Sequence, residues 1–333
     1  MSTGSTLRIG LVGAGRFSQR RVVPELAKVP GVEFVAVANN SAESTARVAE
    51  QFNVATQASS WQDVVSSPDV DLVFNGTQAP QHRDILLGAL ENEKHLLTMN
   101  PLAMTGAEGR EIVAALEARP QLKARQYPAF PGGPYDREDA LVLRLLSEGR
   151  IGRVLSAEMR WHTPFLAFGS YFDILNRWLG RHRRLLVVRK QHEVDNRRVG
   201  FSAILADLGD EVAVRYVHDN LAPKAAQNAH IALHGEEGTI VIEGYPADPF
   251  SSVRIASGDG EAEVVPVPDD LRQAYEDERR VNIEEQFLGW VTGGAEPTPL
   301  LLTLQQGLQS IDAAEAFVAS MRQGGAWVEL PQD

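Results

Sequence analysis

The stretch LRIGLVGAGRFS, residues 7–18, determines the fold that this chain predicts. Its first half is a short apolar run that ends in glycine, which is typical of a buried parallel strand. Gly13 permits a tight turn after that strand, and Gly15 lets the backbone approach a pyrophosphate at the start of the following helix. Ser18 stands where a third glycine is common, and its small side chain still allows helix and strand to pack. The stretch therefore predicts a strand–turn–helix unit that binds a dinucleotide.

Strand-like and helical patterns alternate through the first 124 residues. Strands are predicted at 7–13, 32–39, 71–77 and 94–100, and helices at 16–29, 41–54, 82–92 and 105–120. Pro24 should kink or locally break the first of these helices. Alternation of this kind implies right-handed βαβ units and a parallel, doubly wound sheet. We therefore predict a dinucleotide-binding Rossmann domain over residues 1–124.

The pattern changes near residue 125, where QYPAFPGGPYD is rich in proline and glycine. Beyond it, a helix is predicted at 139–152 and a long helix at 301–322. Stretches with period-two alternation of apolar and polar residues lie at 153–162, 197–207, 210–219, 229–244 and 253–257. Short turns separate several of them, which favours antiparallel pairing. Residues 125–333 are therefore predicted to form an α+β domain with one large, mostly antiparallel open sheet.

Composition excludes several classes of protein. The formal net charge is −12 and no basic stripe is visible, so we expect no nucleic-acid partner. The absence of cysteine excludes disulfides, thiolate metal sites and a cysteine nucleophile, and no metal-ligand spacing predicts a metal site. No uninterrupted apolar run approaches the length of about 18 residues that spans a membrane, and no signal-peptide pattern opens the chain. A cytoplasmic protein with no membrane partner is the expectation.

The end of the second predicted strand bears on the choice of dinucleotide. A carboxylate at this place commonly binds the ribose 2′-hydroxyl of NAD. Here the sequence reads Asn39-Asn40-Ser41, so no carboxylate repels a 2′-phosphate. No arginine stands there to attract a phosphate, although Arg16 could reach it. The sequence predicts NADP as the cofactor, with NAD as the alternative.

Five segments, taken in order, resemble the glucose–fructose oxidoreductase / inositol dehydrogenase (Gfo/Idh/MocA) family. They are RIGLVGAGRFSQR (8–20), NGTQAPQHRDILLGALENEKHLLTMNPLAMT (75–105), LLSEGRIGRV (145–154), HIALHGEEGTIVIEG (230–244) and AEPTPLLLTLQQGLQSIDAAEAFVASMRQGGAWVEL (295–330). The resemblance implies an NAD(P)-dependent oxidoreductase, a homo-oligomer, that acts on a sugar, a cyclitol or a related small molecule with a polar hydroxyl or carbonyl group. It also implies a set of cofactor contacts. These are Gly13, Gly15, Arg16, Phe17, Asn39, Asn40, Thr77, Gln78, His82, Asn100 and Pro101.

The catalytic segments depart from the family pattern. The family's Glu-Lys-Pro is Met99-Asn100-Pro101 here. Asparagine can hydrogen-bond the same groups as lysine, but it cannot carry charge or exchange a proton at neutral pH. Lys94 does not compensate, because the family already has a structural lysine at that place. In the second catalytic segment Ala167 replaces the family's aspartate and Tyr171 replaces its histidine.

Three residues are candidates for the missing proton chemistry. Tyr171 is the candidate acid/base, with a precedent in the family's glucose–fructose branch, and the alternative is an aromatic packed between domains. Asp173 would be its partner, or else a helix cap. His162 follows a strand and could face the cleft. His82 follows the third strand, where it would approach the cofactor or cap the next helix.

Three functions remain open from the sequence. The first is an NAD(P)-dependent oxidoreductase with Tyr171 in the proton role and Asn100 in an atypical site. The second is an enzyme that uses its bound nucleotide in a reaction without net redox change. The third is a nucleotide-binding pseudoenzyme or regulatory protein, which the loss of the lysine, aspartate and histidine favours.

Overall fold

The chain divides into two units, Met1–Pro131 with Asn282–Ile311, and Gly132–Val281 with Asp312–Asp333. The computed structural model describes residues 6–128, 135–161, 168–194, 197–209, 211–219, 229–245, 252–258, 260–266, 268–269, 271, 283–297 and 300–332.

The first unit contains a sheet whose neighbouring strands run parallel. In the described residues its strands are β1 (Leu7–Val12), β2 (Val32–Ala38), β3 (Thr56–Gln57), β4 (Leu72–Asn75), β5 (His95–Thr98) and β6 (Ala124–Gln126), in the order β3-β2-β1-β4-β5-β6. The side chains of Ile9, Leu11, Leu72 and Phe74 are fully buried, as expected for strands covered on both faces. β2 and β3 lie on one side of β1, and β4, β5 and β6 lie on the other side. The predicted doubly wound Rossmann sheet is confirmed.

Helices follow most of these strands. Those of the described residues are α1 (Arg16–Arg21), α2 (Val23–Lys28), α3 (Ala42–Phe52), α4 (Trp61–Val65), α5 (His82–Glu91), α6 (Gly106–Glu117), α7 (Tyr135–Ser147), α8 (Phe168–Leu179), α9 (Ile283–Val291) and α10 (Leu304–Arg322). The helix predicted at 16–29 is two helices that meet at Val22. Pro24 lies in the first turn of α2, where the amide hydrogen that proline lacks would have no partner inside the helix.

Residues 282–311 return to the first unit, although the sequence alone placed them with the second domain. Gln126 and Leu302 exchange backbone hydrogen bonds of 2.8 and 2.9 Å. The Tyr127 hydroxyl donates to the buried Glu284 carboxylate at 2.9 Å. Arg125 stacks on the ring of Trp290. These contacts tie the returning segment to β6, the edge strand of the sheet.

The second unit is built on a larger sheet that is mostly antiparallel, as predicted. In the described residues its strands are β7 (Val154–Trp161), β8 (His182–Val194), β9 (Arg197–Leu208), β10 (Val212–Asp219), β11 (Ala229–Gly235), β12 (Gly238–Tyr245), β13 (Ser252–Ser257), β14 (Glu263–Val264) and β15 (Val328–Glu329), in the order β14-β13-β12-β11-β7-β10-β9-β8-β15. Only β7 and β10, among these described strands, pair in parallel. In chain order β8 and β9 lie between these two strands, and β10 then pairs with β7 in the same direction.

One face of this sheet carries the core of the second unit. Along β10 the side chains alternate between buried and more exposed positions. Ile204, Tyr216 and Leu233 point into a core that includes residues of α7 and α8. Val188, Leu205 and Trp327 leave 40–47% of their surface exposed. Among the described helices, none is long and apolar enough to cross a membrane.

Candidate functional site

A crevice opens at the carboxyl ends of the strands of the first unit, where the strand order reverses beside β1. In open α/β sheets this is the place where ligands bind. It holds a cavity of about 340 Å³. The cavity is lined by Gly13, Ala14, Gly15, Asn39, Asn40, Ser44, Gly76, Thr77, Gln78, Pro80 and Gln81. The fold therefore brings six of the predicted cofactor residues together.

Glycines on the loop between β1 and α1 and after β4 keep side chains out of this crevice. Gly13 has a φ of +70°, and a Cβ there would lie 2.3 Å from Thr77 Cγ2. A Cβ on Gly15 would meet only the Gly13 carbonyl oxygen, at 3.9 Å, so the space in front of it is open. A Cβ on Gly76 would lie 2.7 Å from Ser18 Oγ. The result is a concave surface of exposed backbone, which suits the close approach of a pyrophosphate.

Asn39 fixes the end of β2 beside this loop. Its Nδ2 donates to Ser44 Oγ at 3.1 Å and lies 3.4 Å from the carbonyl oxygens of Ala14 and Ser44. Those carbonyls can only accept, so they determine which end of the amide faces them. Its Oδ1 is buried and has no hydrogen-bond partner among the described residues. Asn39 lines the cavity, so this unsatisfied acceptor lies close to the space that a ligand would occupy.

Arg47 lies behind Ser44, which lines the cavity. On α3 the two residues are three positions apart, and the Arg47 guanidinium donates to Ser44 Oγ at 3.2 Å. Sequence reasoning missed Arg47 because it searched for an arginine at the end of β2 itself. The signal was the helical spacing, since positions i and i+3 share one face of a helix.

Thr77 is held from below by a chain of buried polar groups. Its backbone N–H and its hydroxyl both donate to Asn75 Oδ1, at 3.2 and 2.7 Å. Asn75 Nδ2 in turn donates to Thr98 Oγ1 at 3.0 Å. Asn75 and Thr98 are fully buried at the ends of β4 and β5. Sequence reasoning missed both residues. The available signal was a polar residue at the end of a buried strand.

His82 does not line the cavity but lies buried beneath it, at the first position of α5. Its Nδ1 lies 2.7 Å from the Pro101 carbonyl oxygen and its Nε2 lies 2.9 Å from that of Thr77. Burial lowers the pKa of the ring, and the backbone groups of Thr77, Pro101 and Leu102 oppose that shift only in part. The structure places His82 between two loops that carry predicted cofactor residues.

The other predicted contacts of the first unit lie outside the lining of this cavity. Phe17 leaves 47% of its surface exposed on α1, and Arg16 beside it is exposed too. Asn100 and Pro101, joined by a cis peptide bond, follow β5. Lys94 precedes β5 and donates to the Ser67 carbonyl oxygen at 2.8 Å. Because Lys94 and Asn100 lie at opposite ends of one strand, Lys94 cannot replace the lysine missing at position 100.

The candidate proton-transfer residues belong to the second unit. Tyr171 lies in α8, and its side chain is outside the described part of the structure. Asp173 lies in the same helix and is buried, with 1% of its surface exposed. His162 and Ala167 fall outside the described residues. In the part of the chain that the structure describes, no group of His, Asp and Glu side chains is arranged to hold a metal ion.

Comparison with known proteins agrees with this arrangement. Residues 7–124 match the model of the Gfo/Idh/MocA oxidoreductase family, described as having an NAD-binding Rossmann fold. The chain is 33% identical over 160 residues to 1,5-anhydro-D-fructose reductase from Ensifer adhaerens. This alignment covers 48% of this chain and 46% of that protein. It is 27% identical over 296 residues to dTDP-3,4-didehydro-2,6-dideoxy-alpha-D-glucose 3-reductase from Streptomyces violaceoruber. This alignment covers 82% of this chain and 84% of that reductase. Several matched relatives are aligned over less than half of their length.

Solved structures share the whole architecture. A levoglucosan dehydrogenase in complex with NADH superimposes with a TM-score of 0.76 at 18% identity, over 98% of this chain and all of that one. At this level of identity the likeness shows the fold. It extends the agreement beyond residue 124 into the unit with the antiparallel sheet.

Proposed function

We propose that this chain, whose residues 7–124 match the Gfo/Idh/MocA oxidoreductase family, is a nicotinamide-dependent oxidoreductase for a sugar, a cyclitol or a related polar hydroxyl or carbonyl compound. The observation that carries the proposal is the concave backbone surface formed by Gly13, Gly15 and Gly76 at the switch point of the sheet. Its relatives include enzymes named as reductases and dehydrogenases of sugars. The substrate class is proposed from them.

Each part of the cavity has its own task in this proposal. The backbone at Gly13 and Gly15 binds the pyrophosphate, and Asn39 Oδ1 accepts from a ribose hydroxyl. Thr77 and Gln78 border the same cavity, after β4. The bound dinucleotide supplies or takes up the hydride, so the protein has to orient it, exclude water and move one proton.

We propose that NADP is preferred over NAD. Asn39 and Asn40 offer no carboxylate to repel a 2′-phosphate. Arg47, held at Ser44 Oγ, puts a cation at the side of the cavity that is formed by the end of β2 and the start of α3. An arginine near a phosphate is a strong donor, since its N–H groups match phosphate oxygens.

The proton role is proposed for Tyr171, with Asp173 as its partner and His162 as the next candidate. A tyrosine hydroxyl can donate and accept a proton within hydrogen-bond reach of a substrate oxygen. Asn100 and Pro101 would contact the nicotinamide side, with Asn100 restricted to hydrogen bonding. Arg16 and Phe17, exposed at the start of α1, would contact the dinucleotide from outside the cavity.

Titration of the purified protein with NADPH and NADH tests the proposal directly. We expect a change in dinucleotide fluorescence and a dissociation constant in the micromolar range, with NADPH bound no more weakly than NADH. A screen of sugars and cyclitols with the preferred dinucleotide then tests turnover. Absence of binding with both dinucleotides would reject every oxidoreductase function for this chain.

A second candidate function is a nucleotide-binding protein without redox turnover. It is favoured by Asn100 in the lysine position, together with Lys94 bonded at the far end of β5. In that case dinucleotide binding is retained and the screen yields no turnover. Binding and turnover measured on one preparation distinguish the two functions.

We also propose a homo-oligomer that uses the open face of the second sheet. Leu205 and Val188 are exposed there, and the neighbouring charges are matched within the face: Arg184 pairs with Asp207, and Arg215 with Glu158. A face that exposes apolar side chains beside paired charges suits a second copy of itself. Sedimentation of the wild type and of Leu205→Glu tests this, with a shift to monomer expected for the variant.

A further inference from the structure

His82 occupies a position that the proposed reaction does not use directly. Its side chain is completely buried, yet it lies beneath loops that follow two neighbouring strands, β4 and β5. A buried polar ring is expensive unless its nitrogens have partners. Backbone carbonyls of Thr77 and Pro101 lie within hydrogen-bond distance of its two nitrogens. The ring therefore lies between two loops, and the backbone of Leu102 is also close to it.

The carbonyl of Thr77 belongs to the loop that forms one wall of the cavity. Thr77 Cγ2 would meet a Cβ on Gly13 at 2.3 Å, so Thr77 and the phosphate loop lie in direct contact. Asn75 holds the amide and hydroxyl of Thr77 from one side. The remaining polar group of that residue, its carbonyl, faces His82. A shift of Thr77 would alter the space next to Gly13.

The carbonyl of Pro101 belongs to the loop that carries Asn100. Neutral imidazole has one N–H donor, so it can hydrogen-bond only one of the two carbonyls at a time. With Nδ1 protonated the bond goes to Pro101, and with Nε2 protonated it goes to Thr77. Burial lowers the pKa of the ring and favours this neutral form.

We infer that His82 is a positioning residue: its buried imidazole donates to the carbonyl of Thr77 or of Pro101 and so holds that loop in the arrangement that binds the dinucleotide. The inference deepens the proposed function and rests on it for its ligand. The ring touches neither dinucleotide nor substrate in this role. It acts through the backbone carbonyl that accepts its N–H.

Three variants separate positioning from packing. His82→Leu fills most of the ring volume but leaves both carbonyls without a side-chain donor. His82→Asn places an amide N–H near the position of Nδ1, and His82→Gln places one near Nε2, so each restores a donor to one carbonyl. His95→Gln is the matched control. His95 is a half-buried histidine at the first position of β5, where its Nδ1 accepts from the Lys123 N–H at 3.0 Å.

The readouts are the dissociation constants for NADPH and NADH, thermal stability, and amide hydrogen exchange without ligand. We expect His82→Leu to weaken dinucleotide binding by about tenfold, the effect of one unsatisfied buried polar group. Backbone amide hydrogens should exchange faster in the loop whose carbonyl loses its donor, which is either at Thr77 and Gln78 or at Asn100 and Leu102. One of the two amide variants should restore binding, which identifies the carbonyl that the ring serves. His95→Gln should bind as wild type does.

Two results would overturn the inference. One is unchanged binding and unchanged exchange in His82→Leu. The other is an equal loss of binding and stability in all three His82 variants, which would make the residue structural. If the wild type binds neither dinucleotide, the proposed function fails. Exchange in the ligand-free protein then decides the role of His82 alone: faster exchange restored by one amide variant supports it, and unchanged exchange overturns it.

Discussion

His182 Nε2 accepts a hydrogen bond from the Tyr216 hydroxyl at 2.7 Å, and both residues are buried in the second unit. The direction of this bond follows from the other ring nitrogen. Nδ1 lies 2.6 Å from Asn176 Oδ1, an oxygen that can only accept, so Nδ1 carries the hydrogen and Nε2 does not. Phe172 packs edge-on against both rings. This cluster couples α8 to two strands of the second sheet.

Tyr216→Phe should destabilise the second unit without changing its packing volume. The substitution removes the only polar atom of the ring and leaves His182 Nε2 buried without a donor. We expect the free energy of unfolding to fall by about 1–3 kcal/mol, the usual cost of a buried polar group left unpaired. Urea unfolding followed by far-UV circular dichroism measures it. A loss below about 0.5 kcal/mol would show that the bond contributes little.

The same histidine should make stability depend on pH. Burial lowers the pKa of His182 from its ordinary 6.5 to about 3, so the folded protein keeps the ring neutral where the unfolded chain protonates it. The unfolded state therefore binds more protons, and stability is lost as the pH falls below 6.5 towards about 3. The slope contributed by this residue is at most about 1.4 kcal/mol per pH unit.

Unfolding of wild type and His182→Gln, measured at about pH 7 and about pH 5, isolates this contribution. Glutamine does not titrate, so the variant should lose less stability between the two values than the wild type. Equal losses in both proteins would assign the acid sensitivity to other groups. His82 contributes with the same sign, since burial lowers its pKa as well.

Gly15→Ala should abolish dinucleotide binding while the protein stays folded. The new Cβ would meet only the Gly13 carbonyl oxygen, at 3.9 Å, so the fold accepts it. It would occupy the space in which the proposal places the pyrophosphate. Fluorescence titration and thermal melting measure the two effects. Gly289→Ala is the matched control, because a Cβ there has no neighbour within 4 Å and lies on α9, which does not line the cavity. Binding retained in Gly15→Ala would place the dinucleotide elsewhere.

Arg47→Ala should weaken the binding of NADPH by about tenfold, a typical effect of one hydrogen bond to a charged group. Its effect on NADH should stay within about twofold, since NADH has no 2′-phosphate. The NADPH effect should shrink at high salt, because the site is exposed and screened. Arg119→Ala, a change of the same charge after α6, provides the comparison. Equal losses for both dinucleotides would remove Arg47 from the choice between them.

Tyr171→Phe should lower the turnover number by about 10²–10⁴-fold, the range of a lost acid–base group. Phenylalanine keeps the ring and removes only the hydroxyl, so dinucleotide affinity should be nearly unchanged. The measurement is kcat on the substrate found by the screen. Unchanged turnover would transfer the role to His162 or Asp173. Asn100→Lys tests the opposite case, in which position 100 inactivates the site: a gain of turnover there, with no loss in Tyr171→Phe, contradicts the tyrosine role.

The first unit was largely predictable because local patterns determine it. Buried runs such as 7–13 and 94–100 recur as strands, and the glycine spacing located the phosphate loop. The short elements β3 and α4 were not predicted, since two and five residues are too few for a periodic pattern to emerge. A kink or local break was predicted at Pro24, and the structure has a break, with the helix boundary two residues earlier at Val22.

The second unit and the interior of the site were less predictable. The strand His182–Val194 was missed because Arg183 and Arg184 interrupt its apolar alternation. In the structure both arginines are exposed on the strand, while His182 is buried. Asn75 and Thr98 look unremarkable in sequence, since their role depends on two strands lying side by side. Long-range neighbours of this kind follow only from the assembled sheet.

The return of residues 282–311 to the first unit sets the order in which the protein can be completed during synthesis. The edge strand β6 leaves the ribosome early, but Leu302, which pairs with its last residue, and Glu284, which receives the Tyr127 hydroxyl, are made more than 150 residues later. The nascent Rossmann sheet therefore keeps one edge uncovered until residues 284–302 have been made. An unpaired edge is a site where chains associate wrongly. The dinucleotide-binding unit is completed only after most strands of the second sheet have been synthesised.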